Sequence, residues 1–288
     1  MRIAHLIMAH KNPQQLWRLV NVLQHQNADI FIHVDKKVDV SLFITGKLPH
    51  NVYFIRQRTK CNWGGFNFLK ATFTSLQEIL NSGKLYSFFN LLSAQDYPLV
   101  SAEKLFNFYA LYPNSSFISF DEDAESEWMV KAKERYLSYH LTDVPFRGKY
   151  FLQKIINLII PKKKLPSGYK FYGSANASWW TLSNECVIYL VQKYQTGGDG
   201  FFRFIKYSWG SDEFAIPTLL LNSSHRDKLI NNNFRYIDWS EGKARPKTLT
   251  LADKDKLYHS QMLFARKFDT EVDEIILDVI DEKIKSGS

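Results

Sequence analysis

Cysteine is nearly absent: 288 residues carry only Cys61 and Cys186. Two thiols cannot build a disulfide framework, their separation matches no metal or redox spacing, and a reducing compartment is the simpler setting. No apolar run approaches the roughly 18 to 20 residues that span a bilayer, so any membrane association is expected to be peripheral. The apolar opening is broken by His5, His10 and Lys11 and no small-residue cleavage site follows, so it reads as a first buried strand rather than a signal sequence. The histidines stand at no ligand spacing, which argues against a metallohydrolase. There is neither an internal repeat nor a low-complexity linker.

What is abundant is aromatic and basic. Aromatics make up 15% of the chain, which suits a bulky core and also the flat walls of a carbohydrate site. A formal charge of +8 calls for an anionic partner: a nucleotide, a nucleic acid or an anionic membrane surface. Nucleic acid is the weakest of these, because no zinc-finger or RNA-recognition signature appears and the basic residues are dispersed apart from Lys162-Lys163-Lys164. That triplet follows an apolar segment at 150–161. Phe151, Ile155, Ile156, Leu158, Ile159 and Ile160 there form either a short membrane-surface helix or, more plainly, a buried helix that runs into a solvated loop.

The periodicity predicts one α/β domain over residues 1–288. Residues 3–9 and 30–34 read as strands around a helix at 13–24, with Asn12 as its cap. A strand-helix-strand opening favours a parallel sheet, whose ligands sit at the carboxyl ends of the strands, where His10 and Asp35 lie. Further strands are expected at 52–55, 88–92 and 117–120. Helices are expected at 66–80, 101–111 with Ser101 as cap, 184–194, 212–221 and 273–285. Residues 125–170 look irregular, an excursion that shapes an acceptor side. Within 212–221, Ser211 is the expected cap and Glu213 falls in the first turn.

Three motifs carry the chemistry. Trp209-Gly210-Ser211-Asp212-Glu213 offers a carboxylate, Tyr236-Ile237-Asp238-Trp239 a stacking ring, and Phe264-Ala265-Arg266-Lys267-Phe268 a pair of cations. A base that takes a hydroxyl proton, a ring that stacks on a sugar and cations that hold a diphosphate are the parts of a sugar-transfer site. Each has a plainer reading. A first-turn Glu is often a helix-dipole partner, a basic pair is often a solvated face, and a strand-end acid such as Asp96 often caps a turn.

Taken in order, these motifs resemble the core-2/I-branching β-1,6-N-acetylglucosaminyltransferase family, which also holds the peptide O-xylosyltransferases. The resemblance runs through Phe31-Ile32-His33-Val34-Asp35, Trp63-Gly64-Gly65, 91–98, Gly173-Ser174-Ala175, Ser211-Asp212-Glu213 and 263–269. It implies a GT-A type, Rossmann-like nucleotide-sugar fold with a mixed, mostly parallel sheet flanked by helices. It also implies a UDP-sugar donor, UDP-N-acetylglucosamine by that likeness, inversion at the anomeric carbon and no metal or other cofactor. Glu213 then falls on the catalytic base and Arg266 and Lys267 on the diphosphate site. Asp35, Arg58 and His10 fall near the nucleotide, Gly173, Ser174 and Asp96 at the donor-sugar pocket, and Trp239, Lys133 and Arg135 on the acceptor side. The main competitor is Asp121-Glu122-Asp123, since an Asp-x-Asp after a strand is a common way to hold Mn²⁺ or Mg²⁺ on a nucleotide diphosphate.

The chain lacks the anchor and the many cysteines of the vertebrate branching enzymes. It therefore looks like a bacterial, cytosol-facing relative that extends a lipid-linked glycan, capsule or exopolysaccharide precursor. A UDP-xylose-dependent transferase is the alternative within enzymes, and a non-catalytic carbohydrate-binding protein the alternative outside them.

Overall fold

The computed structural model describes residues 1–44, 46–123 and 125–286. Its first strand, β1 (Ile3–Ala9), is buried at every position, as a strand covered on both faces must be. Helix α1 (Pro13–Val22) starts with proline where no amide partner is needed, and the Asn12 side chain accepts a bond from the Gln15 amide. Then come β2 (Ala28–Val34), β3 (Val52–Phe54), α2 (Phe66–Leu80) and β4 (Phe88–Ser93). These four strands are parallel in the order β3-β2-β1-β4.

Past β4 lie β5 (Asp96–Pro98), α3 (Ala102–Ala110), β6 (Ser116–Phe117), α4 (Glu127–Leu137), α5 (Lys149–Ile159), β7 (Thr181–Ser183), α6 (Asn184–Gln195), α7 (Phe201–Ile205) and α8 (Ala215–Leu221). The chain closes with β8 (Leu229–Ile230), β9 (Arg235–Ile237), α9 (Lys254–His259), β10 (Phe264–Arg266) and α10 (Ile275–Ser286). The main sheet has the order β3-β2-β1-β4-β7-β6-β8, and only β7 runs against the rest. Apolar clusters cover both faces. One gathers Phe73, Leu76, Leu190, Phe201 and Phe214, the other Leu16, Leu105, Tyr109 and Ile276. This is the mixed, mostly parallel α/β sheet flanked by helices that the sequence implied.

A second sheet, β5-β10-β9, stands at the carboxyl end of the first. Its register sets Arg266 opposite Asp96 on one side and Ile237 on the other, two residues before Trp239.

Several boundaries differ from expectation. Residues 125–170 are not irregular, since they hold α4, capped by the Ser126 hydroxyl, and α5. The strand expected at 117–120 ends at Phe117, because the Phe120 amide turns to the Asn231 side chain instead of a neighbouring strand. Ser211 caps nothing. Residues Ser211–Glu213 form a separate 3-10 turn, the helix begins only at Ala215, and the Ser211 hydroxyl is buried without a hydrogen-bond partner among the described residues. The two cysteines are free, and no helix among the described residues is long and apolar enough to cross a membrane.

Candidate active site

The carboxyl ends of β1 and β2, the end of β10 and the turn before α8 converge on a cavity of about 560 Å³. His10, Asp35, Glu213, Trp239, Arg266 and Lys267 all line it. Six residues spread over more than 250 positions of sequence are thus brought to one space.

Glu213 is held on several sides. Its backbone oxygen accepts the Ser174 amide at 3.1 Å, and its amide donates to the Gly210 oxygen. Arg135 on α4 donates from Nη1 to Oε2 at 2.5 Å, and the guanidinium lies 4.7 Å from the Trp209 ring centre. Burial first, and then the neighbouring Asp212 carboxylate, push the Glu213 carboxyl up to about 8, with Arg135 opposing. A carboxyl in that range exchanges protons near neutrality, as a general base must. Asp212 turns the other way and accepts the Ser178 hydroxyl at 2.7 Å.

Close backbone approach fixes this turn. Gly64, at φ +69°, passes so near Trp209 that a Cβ would fall 2.4 Å from the indole nitrogen. The Gly64 oxygen accepts the Gly210 amide at 2.8 Å. A Cβ at Gly173 would meet the Glu213 oxygen at 2.6 Å.

Also in the lining, Arg266 donates from Nε to Asp96 at 2.9 Å and lies 4.2 Å from the Trp179 ring centre. Its neighbour Lys267 has no carboxylate within ion-pair distance among the described residues. Burial, then the positive charges of Arg245, Arg266 and Lys11, hold its ammonium below the ordinary lysine value. This wall carries more positive charge than the protein itself compensates.

Asp35 accepts the amides of Lys37 and Cys61 and keeps an edge on the cavity. Trp239 is steered by a 2.8 Å bond from its indole N–H to Asn176.

Five of the expected contacts lie elsewhere. Asp96 is fully buried, bonded to Arg266 and to the Ser93 amide, so it positions the cation instead of touching a sugar. Gly173 and Ser174 support the Glu213 backbone and do not line the cavity. Arg58 does not line the cavity itself but donates to the oxygen of Val38, which does. Lys133 points to solvent and pairs with Glu125. Arg135 does line a second groove, of about 580 Å³, together with Trp63 and Trp209, which border both spaces.

The Asp-x-Asp segment is also outside. Asp121 accepts the Ser126 hydroxyl and Asp123 the Glu125 amide, so both carboxylates are engaged around the start of α4. Neither lines the cavity. Among the described residues no cluster of His, Cys, Asp or Glu has a metal-holding arrangement.

Sequence reasoning missed Arg245, Lys37, Trp63 and Trp209, which all line the cavity. Arg245 sits in a polar loop, Glu241-Gly242-Lys243-Ala244-Arg245, whose composition reads as solvated surface. Its guanidinium nevertheless lies 5.4 Å from the Trp63 ring centre, at the edge of the cavity. Trp63 and Trp209 open the Trp63-Gly64-Gly65 and Trp209-Gly210-Ser211-Asp212-Glu213 motifs, whose glycines and acids carry the sequence signal.

A mostly parallel sheet whose carboxyl end borders a cavity lined by an acid of raised proton affinity, aromatic rings and cations defines an α/β protein with a polar ligand site at its strand ends. The chain belongs to the Core-2/I-Branching enzyme family, a glycosyltransferase family, whose sequence profile matches residues 3–262. It is 25% identical over 301 residues to xylosyltransferase 2 of Rattus norvegicus, an alignment that takes in 97% of this chain and 33% of that protein. It is 27% identical over 303 residues to beta-glucuronosyltransferase GlcAT14B of Arabidopsis thaliana, which covers 98% of this chain and 66% of the relative. The chain thus spans about a third of the length of the rat relative. Among solved structures, apo mouse xyloside xylosyltransferase 1 matches 91% of this chain and 97% of its own with a TM-score of 0.41 at 10% identity, too distant to bear on the site.

Proposed function

We propose that this chain is an inverting, metal-independent glycosyltransferase that moves a sugar from a UDP-sugar to a saccharide hydroxyl. One observation carries the reading: the carboxyl of Glu213 and the cations Arg266 and Lys267 line the same cavity, the first with raised proton affinity and the last short of counter-charge.

In this reading Glu213, once ionised, takes the proton of the acceptor hydroxyl as its oxygen bonds to the anomeric carbon. The bond from that carbon to the diphosphate oxygen breaks on the opposite face. The electron pair leaves with UDP, whose charge Arg266 and Lys267 stabilise, the guanidinium by paired hydrogen bonds and the ammonium as a point charge. Arg135 positions Glu213 and favours its ionised form. Trp239 stacks on a sugar ring at the cavity wall. Because two cations already meet the leaving diphosphate, no Mn²⁺ or Mg²⁺ is required.

For the donor, N-acetylglucosamine follows from the family's branching members. Xylose is a second reading, favoured by the similarity to xylosyltransferase 2. The acceptor is a saccharide, free or lipid-linked, in glycan or polysaccharide synthesis. UDP release measured from UDP-N-acetylglucosamine, UDP-xylose and UDP-glucuronic acid, first in excess EDTA and then with Mn²⁺, tests the proposal. Turnover of one donor in EDTA is expected. Activity only with Mn²⁺ would overturn the metal-free clamp, and no release from any donor would favour a non-catalytic carbohydrate-binding protein.

A further inference from the structure

Helix α5 is amphipathic, yet it turns its apolar side to the outside. Its polar side holds it to the protein: Gln153 accepts the Leu141 amide at 2.9 Å, Asn157 exchanges two bonds with the Tyr139 backbone, and Lys149 donates to the Thr142 oxygen. No residue of the helix is buried. Phe151 is 71% exposed, Leu158 88% and Ile159 71%, with Leu152, Ile155 and Ile160 also open. A helix docked on its own core shows the reverse arrangement, and an exposed apolar stripe of this size marks a contact surface.

Charge says what covers it. Between Val144 and Lys170 the chain carries Arg147, Lys149, Lys154, Lys162, Lys163, Lys164 and Lys170 and no Asp or Glu. Arg147, Lys154 and Lys164 are exposed and have no ion pair among the described residues. A second copy of this chain would bring the same cations against these. An anionic bilayer presents the opposite charge and an apolar interior within reach of the side chains.

We propose that α5 is a membrane-surface helix that lays Phe151, Ile155, Leu158 and Ile159 into the headgroup boundary of an anionic bilayer, with Arg147, Lys154 and Lys164 on its lipid phosphates. Tyr150, Gln153 and Asn157 of the same helix line the groove that adjoins Glu213 through Arg135 and Trp209. Docking therefore brings that groove to the level of the headgroups, where a lipid-carried acceptor enters. That last step rests on the transfer reading, whereas membrane binding does not.

Sedimentation of the full chain with phosphatidylcholine vesicles, with and without phosphatidylglycerol, tests this while UDP release from soluble donor is read in parallel. Binding is expected to the anionic vesicles only and to weaken in high salt. The double variant Leu158→Glu/Ile159→Glu, at exposed positions, should lose roughly tenfold or more in vesicle affinity at an unchanged melting temperature. Lys154→Glu/Lys164→Glu should lose about fivefold or more per residue. No binding by the wild type, or binding that neither variant weakens, would overturn the proposal. So would a dimer in solution that Leu158→Glu/Ile159→Glu disperses without any vesicle binding, since a second copy would then cover the face.

Discussion

Two Arg–carboxylate pairs each give one member to the same cavity, Arg266 from one and Glu213 from the other, and they are built to opposite ends. In Arg266–Asp96 the acid is fully buried and also accepts the Ser93 amide, so the carboxylate has nothing left to give and the cation is fixed. In Arg135–Glu213 both side chains keep some exposure, 31% and 20%, a single close contact joins them, and Asp212 crowds the acid from beside. The first pair uses an acid to aim a cation. The second uses a cation to restrain an acid whose burial would otherwise keep it protonated. The surroundings of each pair, more than its chemistry, decide which partner is free to meet a ligand.

Removing the free acid should have the largest effect. Glu213→Gln is expected to cut sugar transfer by on the order of a thousandfold and to leave UDP affinity close to wild type by calorimetry. A fully active variant would remove Glu213 from the reaction. Breaking the fixed pair should register as stability: Asp96→Asn leaves Arg266 buried without its counter-charge, at a cost of roughly 3–5 kcal/mol. Chemical denaturation reads that loss, and an unchanged midpoint would mean that Asp96 does not aim Arg266.

Lys267 lies between these extremes, without a carboxylate in ion-pair distance among the described residues and facing the cavity. Lys267→Ala should weaken UDP about tenfold to a hundredfold with the melting temperature unmoved, because no buried partner is orphaned. Equal UDP affinity in the variant would place the diphosphate elsewhere.

The last expected effect is on stability against pH. In the folded chain the Glu213 carboxyl is raised from 4.5 to about 8, so the folded state holds a proton that the unfolded chain gives up. Its contribution is fully present below about pH 4.5 and is lost as pH rises toward 8. Glu213→Gln has no such loss. The variant should therefore melt above wild type at pH 8, with the difference closing at pH 4. Parallel melting curves at the two pH values would contradict the raised proton affinity.

Much of the frame was legible because it is local. Helix α2 spans Phe66–Leu80 as its apolar spacing requires, and Asn12 and Ser101 cap their helices, since a cap needs only its own neighbourhood. The β5-β10-β9 sheet was not legible. Its strands are three residues long, too short for any period to show, and Arg266 meets Asp96 from 170 residues away. For the same reason Asp96 read as a turn cap or sugar contact: it does hold the turn through the Ser93 amide, but its grip on Arg266 did not show. The turn at Ser211–Glu213 read as a helix start because Ser-Asp-Glu has the composition of one. Phe214, at φ −135°, breaks the continuity. In α5 the amphipathic pattern was plain, but the side that faces outward depends on where Gln153 and Asn157 find backbone partners, which spacing does not state.

The most direct test is the pH dependence of kcat/KM for transfer, wild type beside Arg135→Met. If Glu213 is the base and Arg135 restrains it, the wild-type rate should rise with pH through one ionisation at about 8 and then level off. The Arg135→Met profile should shift to higher pH and approach the wild-type plateau there. A wild-type rate that is flat or falls as pH rises, or an ionisation that Arg135→Met leaves in place, would contradict the assignment of Glu213 as the base.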